Sequence, residues 1–416
     1  RDLHSFPTRR SSDLLDGAAA AALGLATLAL PLARGAADRG PSGPWGAAVF
    51  LRRAGEVALP AALLLAAGWA GTEDSSGLWP AWLAAFSIAA RAYDEIVTAA
   101  GGADVPDNAA SWTLRLHPAD VPAWVAAYLL AGRPAGVLWA AAAVGIAGFG
   151  FAAARHAAAL RAMDRANGAG PGRVPGPETP RWATLAKAIG RSGDDSFWGL
   201  WGGQTIAFLV HAMVFRARWA TPNRVTAAAA VAGFLAAGLA VVDSTAAVIA
   251  AVALMQLRSG LDALDGQIAR LRGASSRLGA WLDKVSDTVG WGALFAATAF
   301  CAGRQVGSAW AVLVPLAAAI ALSFQGVTYW LDKRSGGSPS SAPAAEMPFL
   351  GKLLSVLRRI PMFEEPDYYL WFSIALLLDD YPWLLAFTTV AFAARVAGFG
   401  FARTRRAARF GMAHAG

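Results

Sequence analysis

The sequence predicts an all-α, polytopic integral membrane protein: a six-helix membrane bundle in the C-terminal half, preceded by a further helical membrane region. Three observations lead there. Hydrophobic residues make up 56% of the 416 and charged residues only 15%, against about 25% charged in soluble domains. The apolar residues come in runs such as Val225–Val242 and Ala309–Phe324, close to the ~20 residues that cross a ~30 Å hydrocarbon core. The net charge of +8 is spread over successive loops rather than gathered on one face. That is the positive-inside pattern, and it argues against a nucleic-acid surface.

In chain order, HSFPTRRSSDL (His4–Leu14) is polar and basic and resembles a translated sequencing adapter, so residues 1–14 are set apart from the fold. Residues 15–165 hold four or five apolar segments, among them Ala18–Leu32, Val57–Ala70, Trp79–Ala90 and Val121–Leu130 followed by Val137–Ala159. Residues 166–183 are rich in glycine and proline and read as a linker. Residues 184–220 include DSFWGLWGGQTIAFLVHAMVFRARW (Asp195–Trp219), which reads as a helix in the membrane interface or as a short extra span.

Residues 221–416 form the main bundle. TPNRVT opens it, with Thr221 as a cap and Pro222 in the first turn. Six spans follow, at about 225–242, 245–261, 285–302, 307–328, 367–379 and 383–402. Arg216, Arg224, Arg270, Arg277, Lys333 and Arg403 fall in loops on one side; Asp243, Arg304, Asp379 and Asp380 fall on the other. Both ends of the bundle are therefore expected to be cytoplasmic, in the cell membrane. The echo of AGFGFAA at Ala147 in AGFGFAR at Ala397 suits duplication or coincidence equally in so alanine-rich a chain.

Some chemistry is excluded early. The single cysteine, Cys301, permits no internal disulfide and no cysteine metal cage, and reads as a small apolar residue at a helix end. The five histidines lack ligand spacing, so zinc is not expected.

The stretch DALDGQIARLRGASSRLGAWLDKVSD, from Asp262 to Asp287, stands out against this apolar background. Asp262 and Asp265 are three residues apart, and Asp283 and Asp287 four apart, so each pair shares a helix face. The polar segment between them, ARLRGASSRLG, turns the chain and lets the two helices bring all four carboxylates together. Such a cluster beside hydrocarbon requires cations. Carboxylates without histidine or thiol select Mg²⁺ or Mn²⁺, and the charge suits two divalent ions. Paired divalent ions clamp in-line phosphoryl displacement. Gly266, Ala269 and Gly279 have little or no side chain, which lets a nucleotide diphosphate approach the backbone. Arg270 can act as a phosphate fork. Arg258, one turn before Asp262, could bind an acceptor phosphate or pair with Asp262. Arg277 and Lys284 are further acceptor-site candidates.

The full string D-x2-D-G-x2-A-R-x8-G-x3-D-x3-D resembles the signature of the CDP-alcohol phosphatidyltransferase family, with every fixed position present. TPNRVT resembles the opening of that family's first span, and the resemblance extends over about residues 185–410. It implies a six-helix membrane enzyme, and a homodimer. Such an enzyme moves a phosphatidyl or related group from CDP-diacylglycerol or another CDP-alcohol to an acceptor hydroxyl, releasing CMP. The resemblance implies that Asp262, Asp265 and Asp283 hold the metals with Asp287 close by, and that Asp287 is the general base. It also implies that Gly266, Ala269, Arg270 and Gly279 line the CDP site, with Asn223 and Thr226 reaching it from the first span. The long segment Leu331–Tyr369 departs from the compact pattern and reads as a surface helix or lid.

Two rival readings fit the pattern less well. A transporter or channel would place its carboxylates at mid-membrane in paired inverted repeats, whereas these cluster at one face. A catalytically dead scaffold would not need all four aspartates. In the N-terminal half, RAYDEIVTAAGGADVP (Arg91–Pro106) resembles the first acidic region of intramembrane aromatic prenyltransferases. Asp94 and Glu95 are present and the later aspartates are not, which implies an inactive or structural module.

Overall fold

The computed structural model of the chain describes, with isolated gaps, residues 60–68, 77–103, 116, 120–131, 135–170, 172–190, 197–307, 311–323 and 365–379. The described residues form helices and turns, with no strand among them. In chain order the helices are α1 (Leu78–Ala100), α2 (Val121–Leu130), α3 (Ala135–Ala166) and α4 (Arg181–Gly190), then a π-helical turn (Gly199–Gln204) that runs into α5 (Thr205–Val214). After these come α6 (Pro222–Ala240), α7 (Thr245–Arg272), α8 (Arg277–Val306) and α9 (Glu365–Leu378). Among the described residues, α3, α6, α7 and α8 are long and apolar enough to cross a membrane.

The chain divides into two compact units, Arg1–Ala92 with Asp107–Ala152 and Thr404–Gly416, and Tyr93–Pro106 with Ala153–Arg403. In the first, α1 and α3 approach closely: a Cβ at Gly145 would overlap the Ser87 side chain, and the Arg91 guanidinium donates to the Gly148 carbonyl at 3.5 Å. Their last turns belong to the second unit, which contains the signature.

Within the second unit α6 packs against both α7 and α8, and α7 also meets α5, the π-turn and α9. The α6 face that packs inward is built from Ala229, Ala232, Gly233, Ala236 and Ala240. Helices in lipid gain no hydrophobic drive from pairing with each other. Small residues that let backbones approach, together with polar bonds, do that work. Both devices hold the rear of α7. A Cβ on Gly260 would lie 2.6 Å from the Cβ of Ile206, and the Trp198 indole N–H donates to Gln256 Oε1 at 2.7 Å. Gln256 Nε2 in turn donates to Ser373 Oγ of α9 at 2.7 Å. Outward-facing Val231, Phe234, Ile249 and Phe300 are exposed, as lipid contact requires.

Helices α6, α7 and α8 stand where the first three spans of the bundle were expected, and α9 where the fifth was. Most of the 331–369 segment, the 383–402 span, the echo at Ala397 and residues 1–14 lie outside the described residues. Two local expectations are corrected. The turn is shorter than ARLRGASSRLG suggested, because good helix formers carry α7 on to Arg272. Gly273, at φ 62°, ends α7 in the left-handed conformation that glycine accepts most easily. Ser276 then caps α8 by accepting the Gly279 N–H at 2.9 Å. Thr221 takes the extended cap backbone ahead of Pro222, but its side chain accepts no N–H.

Asp243, Arg304, Gln305 and Asp379 meet at one end of this bundle. Arg304 pairs with Asp243 at 3.1 Å, and Gln305 Nε2 donates to Asp379 Oδ1 at 2.8 Å. The signature aspartates lie toward the opposite ends of α7 and α8. The tight α7 contact is open to test by thermal unfolding of the detergent-purified protein. Gly260→Ala is expected to lower the midpoint by several degrees, since overpacking costs about 1–3 kcal/mol. Gly238→Ala, where an added Cβ meets nothing within 4 Å, should leave the midpoint unchanged or raise it.

Candidate functional site

One carboxylate oxygen from each of Asp262, Asp265 and Asp283 lies within 4.8 Å of the others. Helix spacing puts Asp262 and Asp265 on one face of α7, and the four-residue turn Gly273–Ser276 returns the chain so that Asp283 of α8 faces them. Asp265 is buried and accepts a short hydrogen bond from the Thr226 hydroxyl of α6. The donor set is all carboxylate oxygen, which fits a hard divalent cation.

Asp287 stands one turn beyond Asp283 and is held by two cations. Lys284 Nζ lies 2.9 Å from Asp283 Oδ2 and 3.5 Å from Asp287 Oδ2, bridging the two carboxylates. Arg258 Nη2 lies 3.4 Å from Asp287 Oδ1. Arg258 thus crosses to α8, and no ion pair between it and Asp262 is found among the described residues. It is 1% exposed, with its guanidinium 6.0 Å from the Trp291 ring centre and 5.7 Å from that of Tyr369. Room for it comes from Gly233 on α6 and Gly290 on α8, since a Cβ at either would overlap the guanidinium.

The residues expected around a nucleotide also come together. Arg270 folds back over Gly266, where an added Cβ would sit 3.0 Å from its Nη1. A Cβ on Gly279 would come within 2.8 Å of Asn223 Oδ1. The first turn of α6 thus reaches α8 through Asn223 and α7 through Thr226. Ala269, between Asp265 and Arg272 on α7, is half-buried. Arg277 is the exception among the candidates. Its side chain contacts the Met163 sulfur, and no pairing with the signature aspartates is found among the described residues.

Other buried polar residues pack behind α7 and α8. Gln267, inside the signature, is fully buried on the rear of α7 and donates to Gln204 Oε1 of the π-turn at 2.7 Å. Its own Oε1 lies 3.1 Å from His211 Nδ1, and burial lowers the His211 pKa below its ordinary value. Asp94, singled out by the prenyltransferase resemblance, is fully buried and accepts the Trp281 indole N–H at 2.7 Å. Asp164 accepts two backbone N–H groups at the start of α8. The mid-span glycines 233 and 290 were a visible hint of the Arg258 pocket, and the prenyltransferase resemblance drew notice to Asp94; the buried amides and Asp164 gave no signal.

No curated protein and no solved structure matches this chain. Residues 219–356 match the family model described as CDP-alcohol phosphatidyltransferase, and the match begins just before α6 and contains the whole aspartate cluster. The segment that gathers Asp262, Asp265 and Asp283 is therefore similar to the CDP-alcohol phosphatidyltransferases, a family of transferases.

Proposed function

We propose that this protein transfers a phosphatidyl or related substituted phosphate from a CDP-alcohol, above all CDP-diacylglycerol, to an acceptor hydroxyl with release of CMP. The reaction would serve phospholipid biosynthesis at the cytoplasmic face of the cell membrane. The observation that supports this most is the convergence of three aspartates within 4.8 Å inside the family-matched segment. Asp262, Asp265 and Asp283 would hold Mg²⁺ or Mn²⁺, with Asp287 joining if a second ion binds. The metal would supply charge neutralisation and polarisation of the diphosphate.

The chain's own residues do the rest. Gly266 and Gly279 leave room for Arg270 and Asn223 to pack against the backbone, where Arg270 would fork onto the CDP phosphates and Asn223 and Thr226 would border the nucleotide. The acceptor oxygen bonds to the β-phosphorus as the bond from that phosphorus to the CMP oxygen breaks. The hydroxyl proton passes to the Asp287 carboxylate. Arg258 and Lys284 hold the Asp287 carboxylate in place to take that proton. Lys284, engaged by two carboxylates, serves the acceptor only through them, and Arg277 stands apart from this group.

Membranes containing the protein, given CDP-diacylglycerol, Mg²⁺ or Mn²⁺ and a panel of acceptor alcohols, should release CMP with one acceptor and fall silent on EDTA. Asp287→Asn should lower kcat by about 10²–10⁴-fold. Metal-independent release, or wild-type rates in Asp287→Asn, would sink the reading. Arg258→Lys separates two roles for that arginine. A buried guanidinium that orients Asp287 is not replaced by an ammonium, so kcat should fall at least tenfold with acceptor KM nearly unchanged. A rise confined to acceptor KM would instead make Arg258 an acceptor ligand.

A further inference from the structure

The reaction leaves unexplained why residues more than a hundred positions upstream are bonded to the first turns of α8. Near the end of α3, the two carboxylate oxygens of Asp164 accept the backbone N–H groups of Arg277 at 3.0 Å and Leu278 at 2.9 Å. A helix opens with N–H groups that lack intrahelical partners, and its partial positive charge favours a carboxylate there. With Ser276 on the Gly279 N–H, three of these groups are taken.

One turn further on, the Trp281 indole N–H donates to Asp94 Oδ1 at 2.7 Å, while Asp94 Oδ2 lies 2.8 Å from His156 Nδ1. His156, Leu160 and Asp164 recur every four residues on α3, and all three are buried. That face of α3, with the end of α1, therefore grips α8 at two successive levels. Asp94 is fully buried, and a buried carboxylate is costly unless bonded, so these contacts specify a single register.

Trp281 is two residues before Asp283, about 200° around the helix. It points away from the aspartates, so α8 is held from behind while its front bears Asp283 and Asp287. Like charges on α7 push against that front. A helix free to slide or rotate would relieve the repulsion by carrying Asp283 out of reach of Asp262 and Asp265.

We propose that Asp164 and Asp94 are positioning residues that fix the rotation and register of α8, and so set the metal affinity of the Asp262–Asp265–Asp283 cluster. The inference rests on the reading of that cluster as a metal site. The test is Mn²⁺ binding alone, by electron paramagnetic resonance, to the full chain purified in detergent. Asp164→Ala and Trp281→Phe should weaken Mn²⁺ affinity about tenfold or more. Asp164→Asn, which keeps one acceptor oxygen, should fall between them and wild type, and Asp243→Asn at the opposite end of the bundle should match wild type. Helical circular dichroism and thermal midpoint identify the folded variants; Asp164→Asn and Trp281→Phe preserve shape should the alanine variant misfold. Wild-type affinity in folded Asp164→Asn and Trp281→Phe overturns the positioning role while leaving the metal site standing. Wild-type protein without saturable Mn²⁺ binding overturns the metal reading and this inference together.

Discussion

Mutual repulsion among carboxylates governs the C-terminal bundle. Two like charges 4 Å apart cost about 4 kcal/mol at an effective dielectric near 20, and three aspartates reach within 4.8 Å here with a fourth one turn away. No local helix preference favours that crowding. It persists because surrounding groups hold the helices against it. Lys284 bridges Asp283 and Asp287, Arg258 reaches across from α7 to Asp287, and Thr226 donates to Asp265. The buried Arg258 in turn dictates glycine at 233 and 290. Much of what is unusual in α6, α7 and α8 follows from this one demand.

The two aspartate-bearing helices meet the demand in different ways. α7 is fastened along its rear by close backbone approach at Gly260 and by the buried Gln204–Gln267–His211 chain. α8 is fastened by bonds to Asp164 and Asp94 at its opening turns. Both strategies use polar contacts and small residues, since lipid supplies no hydrophobic force between helices. In each helix the front is given to charge and the back to position. The π-turn that presents Gln204 belongs to the same scheme, because a π-helical step re-aims the side chains that follow it.

Much of this was readable from the residues alone. Long apolar runs, the charge alternation between loops and the spaced aspartates each follow from composition or helical period, which are local properties. Asn223 and Thr226 at the start of α6 lie against Gly279 of α8 and Asp265 of α7, and Arg270 lies against Gly266. Local reasoning went astray where two local rules competed. Helix propensity outran the polar look of the connection, so the turn shrank to Gly273–Ser276, and Thr221 keeps a cap's backbone without a cap's bond.

By itself, the sequence determined an all-α membrane chain and a constellation of closely spaced carboxylates, because hydrophobic length and the 3.6-residue period are written in consecutive residues. Tertiary structure alone decided which groups hold that constellation in place. Spacing along α7 offered Asp262 as the partner of Arg258, yet the guanidinium lies against Asp287, 29 residues on. Asp94 finds Trp281 across 187 residues and Asp164 finds Arg277 across 113. Hydrogen bonds between buried groups depend on where helices pack in space, and no periodicity within one helix encodes the partner on another.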